Sequence, residues 1–377
     1  MPPARDVAAS SLLQPGMRIV WFGGAASIPG ERSQIEPNVN GEWVNKRTGE
    51  RYTQFETPGP AGLGFTVMDV MAAEPNGFLL QFTMLLLHTE AGNTTTFIDT
   101  NGAVAGAQNI SDFWQSPAQL AQYRDRNEPG LRILHMPYTL GNRTFRAIRI
   151  QTENQQGWSQ NTFDLDTGVA LASGSTTQGG PVLVLGPGHV PTTGAGSTLL
   201  TFVRAAGARL TSLPGPGAVY PDAIRRLRTL SYSGSKRIIM PGGPGAQLPP
   251  FPLQIRYDIG SNAGPYLNAR MTISGIPGAE GSTERLIVAG AIGSLWMSPD
   301  VLARFGTGET LDQDALTGVR AVALGRQNNL ALVALQTGLA RNTFGYDLRS
   351  GLLTRAELRT QIGIATDVVD AQLVGTQ

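Results

Sequence analysis

The sequence predicts a mainly β protein made of two tandem, related antiparallel β domains, each a half-barrel or a sandwich with one short helix. Three observations support this fold class. Glycine and proline occupy 47 and 25 of the 377 positions, which is more than the usual share of turn-forming residues. Charged residues make up only 15% of the chain, which is low for a protein with long surface helices. A segment around Trp114 also recurs 182 residues later, around Trp296.

The repeat has two landmarks in each copy. FWQSPAQLAQ around Trp114 matches LWMSPDVLAR around Trp296, and FDLDTG ending at Gly168 matches YDLRSG ending at Gly351. A nearly constant offset over a domain-sized length indicates duplication of a whole domain. A segment dense in glycine and proline between the copies predicts a linker. The expected limits are 1–200 for the first domain (core 16–174), 201–377 for the second (core 226–358), and about 174–225 for the linker.

Short runs of apolar or β-branched residues between turn signals predict the strands. Asp164 and Asp347 each precede a turn that ends in glycine, which predicts a β-hairpin in each copy. Asn101-Gly102 is a further hairpin signal. Turn signals recur every 8 to 15 residues, the spacing of a sandwich, barrel or half-barrel. Representative strand segments are MRIVWFGG, GFLLQFTMLLLH and RTFRAIRIQTE in the first copy, and LQIRYDI, YLNARMTIS and NLALVALQT in the second.

One short helix per copy is predicted after each tryptophan. Ser116 and Ser298 are suitable N-caps and each is followed by proline, which is favoured at the first helical position. Gln119 completes a capping box in the first copy. We expect Trp114 and Trp296 to be buried against the sheet, with ligand stacking as the alternative.

Composition excludes several classes of function. The net charge of +1 and the absence of a basic block argue against a nucleic-acid partner. There is no cysteine, which excludes disulfides and thiolate metal sites, and no motif for a cofactor is found. The longest apolar run, from Phe78, is too short to span a bilayer. The protein is expected to be extracellular or periplasmic if a leader was removed, and cytoplasmic if Met1 is the true start.

Two sets of acidic residues suggest chemistry. Asp312 and Asp314 resemble the start of a calcium loop, although the acid expected at its twelfth position is missing; the alternative is a solvated turn. Asp166, in Asp-Thr-Gly, resembles the loop of retropepsin-type aspartic proteases, which need two carboxyls sharing one proton. The second copy has Arg349 at the matched place, so a protease dyad would require a homodimer.

Three sequons lie in the first copy, at Asn93, Asn109 and Asn142. They predict glycosylation only in a secretory or cell-surface setting. Their alternative explanation is chance in a chain rich in threonine and asparagine.

The second-copy segments NLALVALQTG and YDLRSGLLTRAEL resemble the last hairpins of bacterial periplasmic half-barrel carriers of the lipoprotein-carrier type. The Trp-x-Ser-Pro segments with their Asp-to-Gly turns also resemble uncharacterised envelope proteins of GC-rich bacteria. The carrier resemblance implies an open sheet wrapped over an apolar ligand, and it transfers no functional residue.

Three hypotheses about function follow. The first is a non-enzymatic, extracytoplasmic structural, adhesive or assembly protein, whose partner is a second copy of itself or a cell-surface component. The second is a carrier of an apolar ligand or lipid in a half-barrel. The third is a hydrolase of the aspartic-protease type that uses Asp166.

Overall fold

The protein is mainly β, as predicted, with antiparallel sheets that include a half-barrel and, in the part of the chain that the structure describes, three short helices. The structure is a computed structural model. None of the helices in the described ranges is long and apolar enough to cross a membrane. The ranges described are 13–26, 35–37, 43–45, 51–52, 63–88, 94–140, 143–154, 157–177, 198–204, 215–241, 249–276, 280–338, 340–362 and 365–377.

The described residues before 205 form fifteen strands and one helix. The strands are β1 (Arg18–Ala26), β2 (Ile35–Pro37), β3 (Trp43–Asn45), β4 (Arg51–Tyr52), β5 (Leu63–Glu74), β6 (Gly77–His88), β7 (Thr94–Gly106), β8 (Asn109–Ile110), β9 (Trp114–Gln115), β10 (Arg126–Glu128), β11 (Leu131–Leu140), β12 (Arg143–Asn154), β13 (Gly157–Asp164), β14 (Ala170–Thr177) and β15 (Thr198–Arg204), and helix α1 is Pro117–Leu120.

The described residues after 205 form two helices and ten strands. They are α2 (Asp222–Arg225), β16 (Thr229–Ile239), β17 (Phe251–Asn262), β18 (Tyr266–Ser274), β19 (Gly281–Val288), α3 (Pro299–Leu302), β20 (Thr310–Gln313), β21 (Arg320–Gln327), β22 (Leu330–Thr337), β23 (Ala340–Asp347), β24 (Leu353–Ile362) and β25 (Ala365–Thr376). Helix α2 lies in the segment expected to be linker and was not predicted.

The strands form four sheets in the described part of the chain. Seven strands follow the order β15-β1-β5-β6-β7-β8-β9, and five follow β10-β11-β12-β13-β14. Ten form β19-β18-β17-β16-β25-β24-β23-β22-β21-β20, and three form β2-β3-β4. The chain divides into two compact units: Met1–Leu12, Ile19–Val67 and Gly106–Gly207 in the first, and Leu13–Arg18, Met68–Ala105 and Ala208–Gln377 in the second. The limits 1–200 and 201–377 stay a prediction.

The first unit contains the five-stranded meander and a core around Trp21. The Trp21 ring meets Phe113 edge-on at 4.9 Å between ring centroids. Its Nε1 donates to the carbonyl of Ala170 at 3.1 Å, so the buried indole has a partner for its polar end.

The second unit contains the ten-stranded half-barrel. Alternation along β22 places Ala331 and Val333 on the concave face, where they are buried. Residues from the strands form one core cluster with Trp296, Met297 and Leu302. The segment around α3 therefore packs on the concave face of the sheet.

The Asn101-Gly102 hairpin prediction was wrong, because both residues lie inside β7. The Asn101 side-chain oxygen accepts a hydrogen bond from the Leu286 N–H at 3.2 Å. A Cβ on Gly102 would lie 2.4 Å from Leu286 Cδ2. Close approach to Leu286, not a turn, explains the glycine.

The helix caps are only partly as predicted. The Ser116 hydroxyl accepts a hydrogen bond from the Gln119 N–H at 3.2 Å, whereas Ser298 makes no side-chain cap bond. The capping box of Gln119 does not form, because the Ser116 N–H already donates to the Gln108 carbonyl at 2.8 Å.

Candidate functional site

The repeated landmarks build the same contact in each copy, which we call the tryptophan clamp. Trp114 and Trp296 are 1% and 6% exposed, so their predicted burial is confirmed. Trp114 Nε1 donates to the Thr167 carbonyl at 2.8 Å, and Trp296 Nε1 donates to the Ser350 carbonyl at 2.9 Å. A ligand-stacking role for either ring stays a prediction, and it would require the ring to be uncovered.

The residue after each tryptophan completes the clamp. The Gln115 N–H donates to the Gly168 carbonyl at 3.0 Å, and the Met297 N–H donates to the Gly351 carbonyl at 2.9 Å. Both glycines have φ in the left-handed region, +78° and +74°. The duplicated residues thus hold a helix-bearing segment against a hairpin, and the clamp itself has a structural role.

Hydrogen bonds to the carboxylate of Asp347, the first residue of the second-copy turn, lower its pKa. Burial by itself would raise the pKa of Asp347, but bonds from the Ser350 N–H and hydroxyl, the Arg349 N–H and the Asn329 amide hold that pKa below its ordinary value. Asp347 is therefore stabilised as a carboxylate that organises the turn.

A third turn of the same kind runs from Asp314 to Gly318. The Gly318 N–H donates to the Asp314 carbonyl at 2.9 Å, and Gly318 has φ of +72°. The Asp314 carboxylate accepts from the N–H groups of Leu316 and Thr317, at 2.8 and 2.9 Å. Sequence reasoning did not identify this third member, although DALTG has the same spacing as DLDTG.

Asp314 and Asp312 face a buried arginine. Arg18 donates to both carboxylate oxygens of Asp69, at 2.5 and 2.8 Å, and to Asp312 Oδ2 at 3.0 Å. Asp314 Oδ2 lies 3.6 Å from the same guanidinium. Burial alone would lower the pKa of Arg18, but the charges and hydrogen bonds of its acidic neighbours raise it.

The structure therefore brings Asp312 and Asp314 together, but both carboxylates face the guanidinium of Arg18. Asp312 and Asp314 are 6% and 4% exposed, so the alternative of a solvated turn was wrong. In the ranges that the structure describes, no group of three or more histidine, aspartate or glutamate side chains is placed to hold a metal ion. Calcium binding stays a prediction.

The remaining sequence candidates lie apart from one another. Asp166 is exposed, and its carboxylate accepts a hydrogen bond from Arg146, which raises the pKa of that arginine. A protease dyad instead requires a second carboxyl facing the first; the hydrolase stays a prediction. Asn109 is exposed in β8, so its side chain is accessible. Asn93 and Asn142 lie outside the described residues, and glycosylation stays a prediction.

A pocket of about 250 Å³ lies in the second unit. Its walls come from the concave side of the half-barrel, from the loop before α3, and from strands β6 and β7. Most of the lining side chains are apolar. The lining residues are Gln81, Thr100, Asn101, Tyr257, Met271, Arg285, Leu286, Ile287, Val288, Ala291, Ile292, Gly293, Ser294, Leu295, Leu335, Asn342, Phe344 and Leu358.

Arg285 is the one cationic side chain of this lining. It stands in β19 opposite Ala269 of β18, on the concave side. Burial raises the pKa of the lining residue Tyr257, and the nearby charge of Arg285 opposes that rise. The pocket thus combines an apolar wall with a cation and a neutral hydroxyl.

Hydrogen bonds hold the loop that closes the pocket. The Gly293 N–H donates to the Tyr346 hydroxyl at 2.8 Å. The Ser294 hydroxyl donates to the Val288 carbonyl at 2.5 Å and lies 3.1 Å from the Tyr220 hydroxyl. Burial raises the pKa of both tyrosines, so their hydroxyls stay neutral at ordinary pH. These hydrogen bonds fix the loop that forms one wall of the pocket.

Sequence reasoning missed the pocket residues, because they come from strands that are distant in the chain. The segment NLALVALQT was predicted to be a strand, but no pattern in it indicated a cavity beside Leu335. No protein-family model matches the chain, and no curated protein matches it.

Proposed function

We propose that the protein is a non-enzymatic binding protein that holds a small amphipathic ligand in the half-barrel pocket. The observation that carries the proposal is the apolar lining of the pocket around one cation, Arg285. Ligand sites are typically concave and mostly apolar, with a few polar groups that fix orientation. We propose an extracellular or periplasmic setting, consistent with the chain's low charge.

The size of the pocket limits the ligand. About 250 Å³ lies just below the range of roughly 300–1,000 Å³ usual for sites of drug-sized ligands. A single short acyl chain or one ring system suits this volume better than a lipid with several chains. The guanidinium of Arg285 favours a carboxylate or another anionic group at the polar end.

The test compares decanoate with decanol, which share a chain and differ in charge at one end. Binding to the full chain is measured by displacement of anilinonaphthalene sulfonate fluorescence. We expect Arg285→Gln to weaken decanoate binding roughly 10- to 100-fold, the equivalent of a lost charged hydrogen bond of about 1.5–3 kcal/mol. Decanol binding should change little. The control is Arg270→Gln, which removes an exposed arginine from the opposite face of the neighbouring strand.

A second variant tests the cavity itself. Leu358→Trp fills the pocket and should abolish binding of both ligands, whereas Val374→Trp enlarges a side chain that is 63% exposed and should leave binding intact. Equal binding by wild type and Leu358→Trp would refute the pocket as the site. So would the absence of decanoate binding to wild type.

A structural or adhesive role outside the cytoplasm is a second candidate. It is favoured by the tryptophan clamps, because the residues that recur in both copies build a scaffold. Light scattering over a range of protein concentrations tests this candidate. Growth of defined oligomers supports it, and a monomer at every concentration that binds no cell-surface polymer argues against it.

A further inference from the structure

A row of arginines crosses the outer face of the half-barrel, opposite to the pocket. Asn342 and Phe344 of β23 line the pocket, so the alternate residues Arg341 and Thr343 face outward. The row holds four exposed arginines. With strands about 4.8 Å apart, its six positions span roughly 24 Å. In the sheet order β21-β22-β23-β24-β25-β16, the residues of the row are Arg320, Gln336, Arg341, Arg359, Val368 and Arg237.

The charges of this row are not balanced. Arg341 and Arg359 are direct cross-strand partners, and like charges in that position are unfavourable. Glu357 pairs with Arg359 at 2.6 Å and with Arg355 at 3.3 Å. Among the residues that the structure describes, Arg341 and Arg237 have no acidic partner within ion-pair distance. The row therefore carries excess positive charge toward solvent.

The hairpin of β23 and β24 does not require the two central arginines of this row, Arg341 and Arg359. The Asp-to-Gly hairpins of the two copies are 183 residues apart, from Asp164 to Asp347. At that offset Trp158 stands where the second copy has Arg341, and Thr176 stands where it has Arg359. The two residues are cross-strand partners in the first copy, as the arginines are in the second. The same hairpin thus forms without the arginines, which suggests that they serve binding.

We propose that the arginine row binds a linear polysaccharide that carries carboxylates. Arginine pairs with carboxylates through two parallel hydrogen bonds, and a line of guanidinium groups matches a line of such anions. The row is one residue wide, and the next row contains Glu357 and Asp370. Ion pairs with Arg355 and Arg359 neutralise these acids, so the excess positive charge is confined to a strip one residue wide. Such a strip suits a thin polymer better than a broad anionic surface such as a membrane or a duplex. No aromatic side chain stands in the row to stack nucleic-acid bases.

The test measures binding of the full chain to polygalacturonate at low salt. We expect the double variant Arg341→Gln/Arg359→Gln to lower the affinity at least ten-fold. The matched control is Arg256→Gln/Arg270→Gln, which removes two arginines of β17 and β18 from the same outer face but outside the row. This control should change the affinity less than two-fold. Raising salt from about 50 to 200 mM should weaken wild-type binding roughly ten-fold or more, because binding releases counterions.

Three comparisons decide the outcome. Fully methyl-esterified polygalacturonate should not bind, since its carboxylates are neutral. Poly-dT and vesicles of phosphatidylglycerol should bind more weakly than polygalacturonate, and tighter binding of either overturns the proposal. Equal losses in the row variant and the control variant, with unchanged circular dichroism in both, also overturn it, because they show attraction to net charge alone.

Discussion

Replacement of Gly351 by alanine should destabilise the second unit more than the same replacement at Gly318. Both glycines end an Asp-to-Gly turn with nearly the same backbone angle, φ of +74° and +72°. Alanine in this left-handed region costs roughly 1–2 kcal/mol, and the two variants share that cost. They differ in the atoms that the added methyl group meets.

At Gly351 the methyl group collides with the tryptophan clamp. A Cβ there would lie 2.1 Å from the Met297 carbonyl oxygen and 2.6 Å from Trp296 Nε1, whereas the nearest atom to a Cβ on Gly318 is Thr337 Oγ1 at 3.5 Å. Relief of the collision breaks the two clamp hydrogen bonds of Trp296 and Met297. At about 1 kcal/mol each, these raise the expected loss to about 3–4 kcal/mol for Gly351→Ala, against roughly 1–2 kcal/mol for Gly318→Ala.

Urea denaturation followed by tryptophan fluorescence gives the free energy of unfolding of each variant. Gly168→Ala repeats the perturbation in the first copy, where the Cβ would lie 2.1 Å from the Gln115 carbonyl oxygen. We expect its effect to match that of Gly351→Ala. Equal losses for Gly318→Ala and Gly351→Ala would show that the close contact with the clamp does not constrain the turn, and the reasoning would fail.

Two further predictions concern charged side chains. Arg18→Met removes the guanidinium from three buried carboxyls and should cost about 3–5 kcal/mol in thermal unfolding, while Arg270→Met, at an exposed position, should stay within about 0.5 kcal/mol of wild type. The lowered pKa of Asp347 stabilises the fold above the acid's unfolded pKa, and this stabilisation is lost as pH falls through the folded pKa. Asp347→Asn should therefore be less stable than wild type at neutral pH, and the difference should shrink in acid; a constant difference in urea titrations across pH would contradict this.

Local signals in the sequence predicted the fold class and the two hairpins. Proline after serine, glycine after an acid and alternating apolar residues each act over a few residues, so their structural outcome can be read from neighbours in the chain. The burial of Trp114 and Trp296 was also predicted from neighbours in the chain, because each tryptophan lies just before a short helix with a serine cap.

Contacts between distant residues were not predicted. Arg18 is 51 residues from Asp69 and 294 residues from Asp312, so no local pattern connects them. Gly102 looked like a turn residue because the approach of Leu286 is not visible in the sequence. Asp314 was interpreted as a calcium ligand or a solvated acid, since nothing nearby indicated the buried arginine that it faces.

The internal duplication separates the residues that build the hairpin from those that line the pocket. At the 183-residue offset of the hairpins, the pocket residues Phe344 and Leu335 correspond to Asn161 and Thr152. The glycine of the clamp and the aspartate that begins its turn are instead the same in both copies. Register supports this correspondence, because Leu335 pairs with Asn342 as Thr152 pairs with Ser159. A polar residue at each place removes the apolar wall without removing the hairpin. The apolar side chains at these two lining positions are therefore not needed to form the hairpin.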